Sequence, residues 1–66
     1  MGLDEEVMKI VCNLADQNGV TEQMDIETGY SIYLWAVRDF KKEERGSDEE
    51  CRGYAMNRTI EFFAGK

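Results

Sequence analysis

The sequence predicts an all-α fold, a single small domain in which three helices span residues 1–66. Three observations favour this fold class. Apolar residues recur at spacings of three and four in three segments, which is the periodicity of one helix face. Turn signals separate these segments at Asn18-Gly19 and at Gly46-Ser47. The chain contains no proline that would interrupt a helix. We therefore expect helices over approximately 4–18, 25–45 and 47–64.

The first helix has the most regular pattern. Asp4 is its expected N-cap, and Leu3 is placed to pack on Met8 as a hydrophobic staple. The other apolar positions fall on the same face of a helical wheel; they are Val7, Ile10, Val11 and Leu14. This face predicts the side of the helix that packs on the rest of the domain.

The second segment admits two structures. Its apolar stripe has a spacing of alternately four and three residues, which indicates a helix; the stripe consists of Ile26, Tyr30, Tyr33, Val37 and Phe40. The stretch Tyr30–Val37 is also rich in good strand formers, so a strand is the alternative. The helix is favoured because strong helix formers continue to Arg45. The candidates for its N-cap are Thr21, Asp25 and Thr28.

The third helix opens with a capping box, in which the Ser47 hydroxyl accepts from the Glu50 amide and the Glu50 carboxylate reaches back. One face then collects Cys51, Tyr54, Ala55 and Phe62, flanked by Met56, Thr59 and Phe63. The apolar arcs of the second and third helices are wider than one neighbouring helix covers. A domain this small is marginal alone, so we expect self-association into a homodimer or small oligomer.

The charge is unevenly distributed. The chain has 14 acidic and 8 basic side chains, a net charge of -6. Seven acids and one base lie in residues 1–27, whereas residues 28–66 are balanced at seven of each. The whole net charge therefore belongs to the first 27 residues. An acidic face there discourages contact with nucleic acid or an anionic membrane.

Trp35 departs from the apolar stripe of the second helix. On a helical wheel it lies among polar and charged side chains, which are Ser31, Arg38, Asp39 and Lys42. A tryptophan in that setting is a candidate anchor for a partner protein, with Glu5 and Glu6 of the acidic helix steering the encounter. The alternative is that the third helix or a second copy covers the indole.

Arg58 falls inside the apolar arc of the third helix. With Arg38 it forms a candidate anion-binding pair for a carboxylate or phosphate. The alternative is a packed aliphatic stem with the charge in water. The wider basic set, which could contact nucleic acid, is Arg38, Lys41, Lys42, Arg45, Arg52 and Arg58. Acidic residues are intermixed with it and cancel its field, so an ordinary surface of mixed charge is favoured.

Several classes of protein are excluded or disfavoured. The chain has no histidine and two cysteines, which is too few for a zinc site, and we expect neither a metal nor a cofactor. Histidine is also the usual base near neutral pH, so we expect no enzyme. No apolar stretch approaches a membrane span, and no secretory signal opens the chain. We therefore expect a cytoplasmic protein in which Cys12 and Cys51 are free thiols; a bridge between them is the alternative for an exported chain.

Three functions remain as hypotheses. The first is a small acidic interaction module, an inhibitory or accessory factor of a phage, mobile element or bacterium, which occludes a surface of a partner protein. The second is an oligomer that binds a small ligand or nucleotide in an anion pocket between subunits, where Tyr30, Tyr33 or Tyr54 stacks on a ring. The third is a nucleic-acid mimic that uses the acidic helix.

Overall fold

The computed structural model describes residues 4–66. It confirms the predicted all-α class with three helices, α1 (Glu5–Gln17), α2 (Gln23–Lys42) and α3 (Asp48–Ala64). The stretch Tyr30–Val37 is helical, so the strand alternative is wrong. Among the described residues no helix combines the length and apolar content that a bilayer crossing requires.

Both ends of α1 follow the prediction. A side-chain oxygen of Asp4 accepts from the backbone N–H of Glu6 and of Val7, at 3.1 and 3.2 Å, which satisfies two amides of the first turn. At the other end Gly19 has a φ of 71°, and the N–H of Val20 donates to the carbonyl of Ala15 at 2.8 Å. This is a Schellman closure with glycine at its left-handed position. The predicted Leu3–Met8 staple involves a residue outside the described range.

Helix α2 begins two residues before, and ends three residues before, the approximate limits of 25 and 45 expected from the sequence. The helix begins at Gln23 behind Glu22, whose side chain makes no capping bond. None of the proposed caps acts there; the hydroxyl of Thr28 instead donates to the carbonyl of Met24 at 2.9 Å. The helix ends at Lys42, before the predicted stop at Gly46.

A second Schellman closure explains the early end of α2. The N–H of Arg45 donates to the carbonyl of Phe40 at 3.4 Å, and that of Glu44 to the carbonyl of Lys41 at 3.2 Å. Glu44 occupies the left-handed position with a φ of 50°, where glycine is usual. The Arg45 guanidinium lies over the Tyr54 ring, 5.0 Å from its centre, and 5.9 Å from that of Phe40. This packing on α3 outweighs the helix propensity of the residues from Lys41 to Arg45.

The capping box of α3 is confirmed, with the Glu50 N–H 3.2 Å from the Ser47 hydroxyl and the Ser47 N–H 3.3 Å from the Glu50 carboxylate. The buried face is rotated from the predicted one, because Tyr54 and Phe62 are only half-buried. The side chains that face the core follow a strict spacing of four; they are Cys51, Ala55, Thr59 and Phe63. The one polar member is satisfied, since the Thr59 hydroxyl donates to the Ala55 carbonyl at 2.9 Å.

Helices α2 and α3 form an antiparallel pair. Gly29 lies against Phe63 near one end of the pair, and the Phe40 and Tyr54 rings pack near the other, 5.7 Å between centres. Helix α1 contacts both helices and adds Val11, Leu14 and Ala15 to the core. The smallest dimension of the molecule is 15 Å, which is about two layers of packed helices. α1 is thus a second layer on one side of the α2–α3 pair.

Candidate functional site

The side of the α2–α3 pair away from α1 carries an open groove of about 410 Å³. Helix α2 lines it with a stripe from Thr28 to Asp39 that includes Ile32 and Trp35, and helix α3 lines it with Tyr54 and Arg58. Among its lining residues Ala36 is buried and Ile32 and Tyr54 are half-buried, whereas Trp35 and the polar and charged residues are exposed. We call this feature the Trp35 groove.

The helical repeat of α2 explains why α1 does not cover the Trp35 groove. The groove residues of α2 are spaced by three and four, so they share one helix face. Tyr33 lines a different cleft together with residues of α1, and the Tyr30 hydroxyl accepts from the backbone N–H of Asp4 at 2.8 Å. At about 100° per residue, the Trp35 side chain is separated by about 160° from Tyr33 and by about 140° from Tyr30 around the helix axis. The groove and the α1 contact are therefore on nearly opposite faces.

Trp35 is 72 % exposed. The sequence-based alternative in which α3 covers this indole is wrong. Two other large apolar side chains are exposed within residues 4–66, Met24 at 76 % and Leu34 at 38 %. Met24 precedes Trp35 by three turns and projects from the same face, so the two continue the apolar strip along α2. Leu34 projects about 100° away and lies outside the groove.

Two opposite charges flank Trp35. Asp39 follows it by one turn on α2, and Arg58 faces it from α3; both side chains are exposed. Within residues 4–66 the ion pairs are Arg45–Glu43 at 3.6 Å and Lys66–Asp25 at 3.2 Å, so neither groove charge is paired. The Trp35 groove thus offers one carboxylate and one guanidinium to a binding partner.

The other predicted binding residues are dispersed. Arg38 and Lys42 are exposed on α2, beside the groove but not among its lining. The predicted anion pair is therefore not assembled there, because only Arg58 lines the groove. Glu6 lines a smaller cleft of about 260 Å³ on the α1 side, and Glu5 lines a depression on α1 itself. Glu5 and Glu6 thus lie in the α1 layer, whereas Trp35 lies in the layer formed by α2 and α3.

The cleft on the α1 side contains Tyr33, the one ionisable group among the described residues whose pKa differs clearly from its ordinary value. Burial raises the pKa of Tyr33; the charge of Arg52 opposes this effect, and Cys51, Glu6 and Asp4 add to it. Tyr33 is only 4 % exposed, so its ring is not offered for stacking on a ligand. Of the three tyrosines considered for that role, Tyr54 is the one that lines the Trp35 groove.

The cysteines are both free thiols, so the bridge considered for an exported chain is absent. Cys12 is exposed and Cys51 is buried, with its sulfur 3.8 Å from the carbonyl of Val37. No group of three acidic or cysteine side chains within residues 4–66 is arranged to hold a metal ion. Neither thiol lines the Trp35 groove.

Sequence reasoning placed Asp39 beside Trp35 on the helical wheel but missed Ile32 as a companion of Trp35 in the groove. A signal was present, because Thr28, Ile32, Trp35 and Asp39 repeat the spacing of four and three that marks one helix face. Comparison of the chain with protein-family models, with curated proteins and with solved structures finds no match. The geometry of the Trp35 groove is accordingly the main guide to function.

Proposed function

We propose that this protein is a non-enzymatic interaction module that docks the Trp35 groove onto another protein and occludes part of its surface. The observation that carries the proposal is the 72 % exposure of Trp35 beside an apolar groove. A large exposed aromatic side chain next to a guanidinium is the composition typical of an interface centre, where tryptophan, tyrosine and arginine dominate the binding energy.

The Trp35 side chain can supply a substantial part of the affinity. A tryptophan buries about 150–250 Å² when it is fully covered, and most of this indole is free to be covered. At about 25 cal/mol per Å², its burial contributes roughly 3 kcal/mol, or about two orders of magnitude in affinity. Met24 extends the same apolar strip, so the surface is longer than one side chain.

The shape and charge of the Trp35 groove favour a helical segment as the bound element. A channel between two antiparallel helices accepts the apolar face of an amphipathic helix. Asp39 and Arg58 then fix the orientation of that segment through one basic and one acidic contact. The acidic α1 lies on the opposite layer, from which its field speeds the encounter with a basic partner without entering the interface.

Substitution of Trp35 by alanine tests the proposal. We expect Trp35→Ala to reduce binding to the partner about 100-fold, because the indole contact is lost. In dilute solution its free energy of unfolding should stay within about 0.5 kcal/mol of the unmodified chain, because the side chain is exposed. The measurement is capture from a lysate of the source cells on immobilised protein, quantified by mass spectrometry, followed by titration of the captured protein.

Leu34→Ala is the matched control, since Leu34 is an exposed apolar residue of α2 outside the groove. A captured protein is identified as a partner of the Trp35 groove if the unmodified chain and Leu34→Ala retain it and Trp35→Ala does not. Trp35 is the only tryptophan, so a blue shift of its emission on titration reports docking at this site. A partner that binds all three proteins equally would refute docking through the groove.

A further inference from the structure

We infer that in the free protein a second copy of this chain occupies the Trp35 groove, forming a twofold-symmetric dimer in which Arg58 of each copy pairs with Asp39 of the other. This inference rests on the proposed function in one respect, because it takes the groove as a protein-docking surface. It goes further by naming the occupant when no other partner is present.

Charge complementarity within one groove is the first support. Asp39 and Arg58 line the same apolar groove, are exposed and have no ion-pair partner within residues 4–66. A twofold axis can lie in the plane of the open face and pass midway between Asp39 and Arg58. It places Asp39 of one copy opposite Arg58 of the second copy, and Arg58 of the first opposite Asp39 of the second. A self-complementary patch of this kind is what an isologous dimer requires, and both ion pairs then form by symmetry.

The location of the net charge is the second support. Residues 1–27 carry the whole charge of -6, and residues 28–66 are neutral. The Trp35 groove belongs to the neutral part, α2 from Thr28 onward and α3. Half of that charge, -3, belongs to α1 and its Asp4 cap, which two copies that meet through the groove keep on the outer layers. The other half belongs to Glu22, Asp25 and Glu27 at the start of α2, next to the Thr28 end of the groove. The long-range repulsion between the α1 helices is therefore smaller across this face than across the face that carries α1.

The dimensions of the molecule are the third support. The thickness of 15 Å allows two helix layers, and α1 occupies one of them, so the α2–α3 pair has no helix on its open side. The other two dimensions are 33 and 29 Å, a face large enough for the roughly 800 Å² per partner of a stable interface. In the dimer, the two α2–α3 pairs form the central layers and the two α1 helices form the outer layers.

A charge-swap experiment tests this arrangement. Asp39→Arg leaves two like positive charges facing each other across the axis, and Arg58→Asp leaves two like negative charges. We expect the dissociation constant of the dimer to rise about 10- to 100-fold in either variant alone. An equimolar mixture of the two variants restores both opposite-charge pairs and should form a heterodimer. The readout is molar mass by light scattering after size-exclusion chromatography, with Trp35 emission as a second measure of burial.

Asp16→Arg and Arg52→Asp form the matched control pair. They change the net charge by the same amounts, but Asp16 lies on α1 and Arg52 lines the cleft on the α1 side. Circular dichroism checks that each variant keeps its helix content. If a reversal prevents folding, Asp39→Asn and Arg58→Gln remove the same pairs without adding repulsion and should weaken the dimer by a smaller factor.

The inference fails if the unmodified chain stays monomeric up to millimolar concentration, or if each single reversal leaves the dimer intact. It also fails if the mixed variants stay monomeric, or if the control pair behaves like the groove pair. If the chain is monomeric but still retains a partner protein through Trp35, the inferred dimer is wrong and the proposed function is supported. A groove dimer that retains no other protein would support the second copy and count against the proposed function.

Discussion

Gly29 and Gly53 are both helical glycines, and their surroundings give them opposite roles. A side chain at Gly29 would overlap the ring of Phe63, whose Cε1 lies 2.8 Å from the position that a Cβ would occupy. The absence of a side chain there lets α2 and α3 approach closely. Gly53 has no atom within 4 Å of such a Cβ, so packing does not require a glycine at that position.

We expect Gly29→Ala to lower the free energy of unfolding by at least about 1 kcal/mol, because overpacking at Phe63 exceeds the gain in helix propensity. Gly53→Ala should raise it by roughly 0.5–1 kcal/mol, because the propensity gain is then unopposed. Urea denaturation followed by circular dichroism measures both. Equal effects of the two substitutions would show that the Gly29–Phe63 contact does not limit the packing of α2 on α3.

At the scale of the element, the two interhelical loops begin with the same device. Each preceding helix ends in a Schellman closure, with Gly19 at the left-handed position after α1 and Glu44 at that position after α2. Glycine adopts this conformation without strain, whereas any other residue suffers a steric penalty of about 1–2 kcal/mol. The stacking of Arg45 on Tyr54, which holds the chain in this turn, offsets that penalty.

We expect Glu44→Gly to raise the free energy of unfolding by about 0.5–1 kcal/mol, because it removes the strain while the turn is kept. The control is Glu61→Gly, an exposed position inside α3, which should lower stability by roughly 0.5–1 kcal/mol. Thermal and urea unfolding of the three proteins distinguish the two effects. A loss of stability in Glu44→Gly as large as that in Glu61→Gly would contradict the strained turn.

At the scale of the whole molecule, the thin two-layer shape links the stability of the chain to its proposed self-association. A chain of 66 residues buries only about 60 % of the surface that it exposes when unfolded. The open face of α2 and α3 leaves Trp35 and Met24 in solvent. If a second copy docks on that face, as we infer, it buries additional surface, and stability should then depend on protein concentration.

We expect the thermal midpoint to rise by about 5 °C or more when the concentration of the chain increases about a hundredfold, because mass action adds roughly 1 kcal/mol per chain. Trp35→Ala should abolish this dependence, and Leu34→Ala should preserve it. Differential scanning calorimetry of reversible transitions measures the midpoints. A midpoint independent of concentration in the unmodified chain would remove this link between stability and association.

The sequence by itself determined the three helices, the N-caps of α1 and α3 and the C-terminal closure of α1 at Gly19. Local interactions suffice for these features: the apolar periodicity of α1, the Asp4 cap and the Ser47–Glu50 capping box all involve residues within one or two turns of each other. The wheel also separated Trp35 from the stripe of α2, because that separation is a property of one helix.

Only the tertiary structure decided where α2 ends, which face of α3 is buried and whether Trp35 is covered. Each depends on contacts between different segments of the chain: Arg45 on Tyr54, Phe63 against Gly29, and α1 against the opposite side of α2. Local propensities differ by less than about 1 kcal/mol per residue, so packing of this kind overrides them. The sequence therefore marks Trp35 as unusual, and the placement of α1 on the other layer makes it the centre of an open groove.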